Sequence, residues 1–182
     1  MSEKNTVNFI FELNQLKRQK HSGWRLAGVK DPYSIADHIM RSAQIGYILA
    51  SMEGNANPEK VAAIMMIHEN GEARIGDQTK VGAKYFSKKE PEKNAFLDQL
   101  ENLSGSIADK WKEYYREIEE RNTPEGIIAK DADWLETAFQ AKEYMDIGYV
   151  SAIDWINNVE KALETKSAKI LLEEMKKTDF TE

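Results

Sequence analysis

One stretch near the middle of the chain holds residues whose types and spacing could do metal chemistry. The apolar run Ala63-Ile-Met-Met-Ile67 delivers His68 and Glu69 side by side, and Glu72 follows one helical turn after His68. Gly76-Asp77 then breaks the segment. One imidazole and three carboxylates at the end of an apolar helix are costly, because unpaired charge beside a dry core is strongly unfavourable. A divalent cation offsets that cost.

Only three His occur in the chain, and His38 and His68 fall on the apolar faces of successive expected helices. A single core His is most simply a hydrogen-bonded structural residue. Two of them, one abutting carboxylates, point to a metal, and imidazole with carboxylate suits Zn, Fe, Mn or Co rather than Ca. A rival use of the same residues is the zincin helix, with groups at i and i+4 on zinc and an intervening Glu as base. Here the second His is absent and Gly71 sits in mid-turn.

Other residues stay open between two roles. Asp131 and Asp133 are two apart, so they face different sides of a helix. Asp133 is either a solvated charge or the carboxylate that closes a metal site. Trp24, in the Gly- and Pro-punctuated loop 21–32, is either a hydrophobic plug or a ring that packs on a sugar or base. Lys80 and Lys84 are plain solubilising charges or anion contacts; Lys88 and Lys89 read as solubilising.

The elements that must position these groups read as helices. Apolar spacing marks a helix over 7–18, with Val7, Ile10, Phe11 and Leu13 or Asn14 on one face. Ser34 and Asp37 make a capping-box pattern that opens a helix over about 35–52. Asn57-Pro58 is a cap and first-turn pair for the short helix that carries His68. Further helices are expected over about 90–103, 106–121 and 124–145, the last opened by Thr123-Pro124. A final helical region covers roughly 150–178, cut near 165–167. Nothing alternates with period two for long enough to form a strand. The expectation is an all-α chain, one domain over 1–182, with a site-bearing core at about 10–150. Trp111, Tyr114 and Tyr115 are either core or a dimer face.

Composition narrows the function classes. Lys plus Arg is 25 against 31 Asp plus Glu, a net charge of −6. That balance argues against sequence-independent binding to a nucleic-acid backbone. No Cys is present, so disulfides and thiolate metal sites are excluded. No basic-then-apolar leader opens the chain, and no apolar run approaches the ~20 residues needed to span a bilayer. A cytoplasmic protein with no membrane partner is expected.

The order Trp24, Ser34-Ile-Ala-Asp-His38, His68-Glu-Asn-Gly-Glu72, Gly76-Asp77, Lys130-Asp-Ala-Asp133 resembles the HD-domain phosphohydrolases. Within them it is similar to the small 5′-deoxynucleotidases of the YfbR and HD-domain-containing protein 2 type. The resemblance covers roughly residues 10–150. It implies an all-α HD bundle, usually a homodimer, that hydrolyses deoxyribonucleoside 5′-monophosphates with one divalent transition metal such as Co or Mn. It further implies His38, His68, Glu69 and Asp133 as metal ligands, Glu72 as acid/base, and Asp77 as the acid that positions substrate and water. Trp24 would crowd the sugar 2′ position and so select deoxyribose. Two departures stand out: the family's His-Asp doublet is His68-Glu69 here, and the Arg that often leads into the Trp is missing. Arg25, His21, Lys80 or Lys84 would take its place on the substrate phosphate. The same fold also allows another nucleotide phosphate ester as substrate, or a nucleotide-binding protein without turnover.

Overall fold

The computed structural model describes residues 2–180. The local signals read from the sequence set where its helices begin. Ser34 and Asp37 form a reciprocal capping box: the Asp37 amide donates to Ser34 Oγ at 3.2 Å and the Ser34 amide to Asp37 Oδ2 at 2.8 Å. They open α2, Ile35–Glu53. Asn57 caps α3, Pro58–Ile67, and Thr123 caps α7, Pro124–Asp146, each with Pro in the first turn. The remaining helices are α1 (Glu3–Leu13), the one-turn α4 (Glu72–Ile75), α5 (Lys89–Leu100), α6 (Gly105–Glu120), α8 (Ile153–Ala162) and α9 (Lys166–Met175). Among the described residues no strand forms, only an isolated bridge between Lys20 and Ser34. The fold is all-α.

The core lies where α2, α3 and α7 cross. Leu49, Ala50, Val61, Ile64, Met65, Ala129, Ala132 and Leu135 are fully buried there. Small residues let the helices approach closely. A Cβ on Gly46 would stand 2.9 Å from Val61 Cγ1, 3.3 Å from Met65 Cγ and 3.6 Å from Ala132 Cβ. That tight crossing brings His38 of α2, His68 at the end of α3 and Asp133 of α7 to one place.

The N-terminal helix differs from expectation. Val7, Ile10 and Phe11 are exposed, and Phe9 is the buried residue, with its ring 5.9 Å from Trp111. Helical spacing identified an apolar face, but packing on α6 selected the residue beside it. Trp111, Tyr114 and Tyr115 take the core alternative. No described helix is long and apolar enough to cross a membrane.

Candidate metal and active site

His38, His68, Glu69 and Asp133 each offer one ligand atom, and these atoms all lie within 4.8 Å of one another. Each arrives from a different constraint. His38 is one turn into the capped α2, His68 and Glu69 terminate α3, and Asp133 projects from the middle of α7. Asp131 faces elsewhere, as spacing by two requires. It accepts from the Glu164 and Thr165 amides and the Thr165 hydroxyl, tying α7 to the start of α9.

The two imidazoles show what this group is built to hold. His68 Nδ1 lies 2.7 Å from the Met65 carbonyl, which can only accept, so Nδ1 carries the proton. His38 Nδ1 lies 2.5 Å from Glu136 Oε2, again an acceptor. The two Nε2 atoms face each other at 3.2 Å, so at most one of them points a proton at the other. Asp133 Oδ1 is 3.2 Å from one and 3.8 Å from the other, and Glu69 Oε1 is 3.5 Å from His68 Nε2. Glu69 Oε2 is buried without a hydrogen-bond partner. Two imidazole nitrogens and two carboxylates, one with an unpartnered oxygen, converge here, and this donor set fits a divalent metal.

The surrounding carboxylates favour positive charge among them, whether a proton on His38 or a cation. Burial opposes charge on His38, yet the Glu136 and Asp133 carboxylates pull its pKa up to about 10. Burial likewise opposes ionisation of Glu69, but His68 and the Lys88 ammonium pull it down to about 2. Asp133 is held well below the ordinary range: the Lys130 ammonium and the two imidazoles overcome its burial.

Behind the ligands lies a support that sequence reading missed. Glu136, fully buried, accepts from His38, from Tyr33 Oη at 2.8 Å, and from Arg41 Nε and Nη2 at 2.9 and 2.7 Å. Arg41 also reaches Gln140 at 2.9 Å and Glu143 at 2.5 Å. Such carboxylate–imidazole pairs fix the tautomer and ring plane of a ligand. A signal existed: Arg41 is three residues after His38 and Glu136 three after Asp133, so each pair shares a helix face.

Glu72 lies beside this group. It is 1 % exposed, and its Oε2 has no hydrogen-bond partner. Lys88 Nζ bonds Glu72 Oε1, lies 3.2 Å from Glu92 Oε2 and 3.9 Å from Asp77 Oδ1. One ammonium cannot neutralise this many carboxylates. Burial first, then the Glu69 charge, pushes Glu72 up to about 10, and burial pushes Glu92 to about 7. Glu72 thus keeps its proton at neutral pH. Reading Lys88 as a solubilising charge was wrong, because its partners come from segments far apart in sequence; Lys89, 68 % exposed, does face solvent.

Asp77 follows Gly76, whose positive φ of 72° turns the chain back towards the site. Its Oδ2 accepts from Ser22 Oγ at 3.0 Å and the Gly23 amide at 3.4 Å, which fixes the loop carrying Trp24. A cavity of about 430 Å³ opens here, lined by His21, Trp24, Asp77, Lys80 and Thr137 among others. His21 stacks on Tyr33 at 5.0 Å with Nε2 buried and unpartnered. Burial and the nearby His38 charge lower its pKa. Arg25 and Lys84 are exposed and lie outside that lining.

With this geometry in place, comparison with known proteins decides the family. The HD-domain family model matches residues 13–176. The chain belongs to the HD-domain family. It is 32% identical over 149 residues to the 5′-deoxynucleotidase HDDC2 of Dictyostelium discoideum, covering 77% of each chain. It is also 32% identical over 143 residues to the 5′-deoxynucleotidase hdd1 of Schizosaccharomyces pombe, covering 76% of this chain and 71% of that protein. A conserved hypothetical protein from Pyrococcus furiosus has the same fold, with a TM-score of 0.78 at 30% identity over 94% of this chain and 99% of that one.

Proposed function

We propose that this HD-domain protein is a metal-dependent phosphohydrolase that cleaves deoxyribonucleoside 5′-monophosphates to deoxynucleoside and phosphate. The observation that carries the reading is a buried Glu72 beside a His/Glu/Asp group that fits a divalent metal, next to a Trp-walled cavity whose lining residue His21 has its ring 4.8 Å from that of His38. The 5′-deoxynucleotidase relatives named above support the substrate class.

His38, His68, Glu69 and Asp133 would hold the ion, with Co or Mn fitting the mixed imidazole and carboxylate set. A bound ion of this kind polarises phosphoryl oxygens and makes water more acidic. Glu72 gives its proton to the departing 5′-oxygen as the P–O bond breaks and the water oxygen bonds to phosphorus. Asp77, fixed by Ser22 and Gly23, orients the attacking water and the loop above it. Trp24 is 2 % exposed and packed against Trp155 and Tyr144, so it presents an unyielding wall where a 2′-hydroxyl would sit. His21 and Lys80, both on the cavity lining, are the candidates for the phosphate contact left by the missing Arg. A homodimer belongs to the same reading: Ile10, Phe11, Met40 and Met66 are more than half exposed and give an apolar surface to cover. Its substrate pool would place the enzyme in the cytoplasm.

The test is phosphate release from deoxy-AMP and AMP in parallel, after loading with Co or Mn and with a chelated control. Metal-dependent release that favours deoxy-AMP is expected. No release from either, in folded protein, refutes the reading.

A further inference from the structure

The cavity has a second wall that the hydrolysis does not use. On one side it meets His21, Asp77 and Thr137, and Thr137 donates its hydroxyl to the Asp133 carbonyl at 3.2 Å. On the other it is lined by Asp154, Trp155 and Asn158 of α8. The Trp155 ring stacks on Trp24 at 5.0 Å and 24°, so aromatic surface continues from the sugar wall to α8. Asp154 and Asn158 are four residues apart and share a helix face. Ile156 and Val159 are the buried residues that dock α8 on the core. Both polar side chains are exposed, and neither hydrogen-bonds nor ion-pairs with another described residue.

We propose that this wall is a nucleobase subsite selective for guanine. The inference rests on the nucleotide reading above and names its preferred base. A cavity of about 430 Å³ lies in the range that encloses a small organic ligand, ~300–1,000 Å³. With phosphate towards His21 and Thr137, the lining residues that contact His38 and Asp133, and deoxyribose against Trp24, the base reaches α8. Trp155 supplies a face for stacking, which is tolerant of base identity. Asp154 supplies the discrimination. An ionised carboxylate only accepts hydrogen bonds. Guanine alone offers two adjacent donors on its pairing edge, N1–H and N2–H, to one carboxylate. Adenine and cytosine set a ring-nitrogen lone pair beside their amino group, and that lone pair meets the carboxylate with repulsion. Thymine sets a single N–H between two carbonyls. Asn158 can then donate from its amide to guanine O6. A carboxylate pairing of this kind is worth about 10- to 100-fold in affinity.

Intrinsic tryptophan fluorescence of the metal-loaded protein, titrated with each of the four deoxynucleosides, tests this without any turnover. Deoxyguanosine should bind at least about tenfold more tightly than deoxyadenosine. In Asp154→Asn the preference should collapse or reverse, because an amide offers adenine a donor and an acceptor together. Equal affinities in the wild type, or a preference that survives Asp154→Asn, overturns the subsite. The two readings fail separately. Phosphate release from all four deoxynucleotides with no Asp154-dependent selectivity removes the subsite and leaves the hydrolase. Selective binding of deoxyguanosine through Asp154 without phosphate release does the reverse.

Discussion

Replacing Glu136 by Gln isolates the support behind the metal-capable group. The substitution keeps size and shape but removes the charge that His38, Tyr33 and Arg41 all address. An amide can present its NH2 to His38 Nδ1, where two donors would clash, or its oxygen, where a weaker neutral acceptor replaces a carboxylate. Either way Nδ1–H is held less firmly and Nε2 becomes a poorer ligand. Losing such a partner lowers metal affinity by about 10- to 100-fold, or roughly 1.4–2.7 kcal/mol. Arg41 retains Glu143 and Gln140, so the fold should lose only about 1–3 kcal/mol, the penalty for a buried group left short of a partner. Equilibrium dialysis against Co or Mn measures the first quantity and urea unfolding of the metal-free protein the second. A Glu136→Gln protein that is folded and binds metal within about twofold of wild type would show that the His38–Glu136 contact does not tune the site.

Two further changes probe the neighbouring carboxylates. Lys88→Met removes the ammonium that orients Glu72, so kcat for deoxy-AMP should fall by about 10- to 100-fold, part of the 10²–10⁴-fold worth of a positioned proton, with KM little changed. Lys88→Arg should restore part of it; a rise in KM alone would assign Lys88 to the substrate phosphate instead. Burial and Glu69 push the Glu72 pKa up to about 10 in the metal-free chain, so the proposed proton donor is lost as pH rises through its pKa. In the metal-loaded protein kcat should show an alkaline limb below that value, because the cation offsets the Glu69 charge. Glu69→Asp draws the ligand oxygen back by about 1.5 Å, one C–C bond, beyond the ~0.5 Å that a working site tolerates. Metal affinity measured by dialysis should therefore fall, and a rise would mean that Glu69 is a strained ligand in the wild type.

Much of the fold was legible because its signals are local. The Ser34/Asp37 box, Asn57-Pro58 and Thr123-Pro124 act within a few residues of themselves, and each opens the helix it announces. What required the folded chain was anything decided between segments. Helical spacing marked Val7, Ile10 and Phe11 as a face, but the partner on α6 is met by Phe9. Lys88 stands in a run of exposed-looking charges, Lys88-Lys-Glu-Pro-Glu92, and its role appears only when Glu72, Asp77 and Glu92 converge on it. The candidate ligands were visible as residue types out of place, an imidazole or carboxylate on an apolar face. Glu136 and Arg41 satisfy each other, so nothing in their sequence surroundings looked unpaid.

Glu69 joins the two halves of the site, since it lies within 4.8 Å both of the His38, His68 and Asp133 ligand atoms and of Glu72 and Glu92. Its charge is among the reasons Glu72 keeps a proton. A cation that draws on Glu69 would therefore weaken Glu72's hold on that proton and move it towards the range where a carboxylic acid donates readily at neutral pH. Cation and proton would in this way be antagonistic ligands of one charge cluster, in which Lys88 supplies a fixed positive charge that contacts both Glu72 and Glu92. On the proposed reading, Glu72 would hold its proton strongly before the site is charged and donate it more readily afterwards, so acid catalysis would be coupled to a complete site through Coulomb forces.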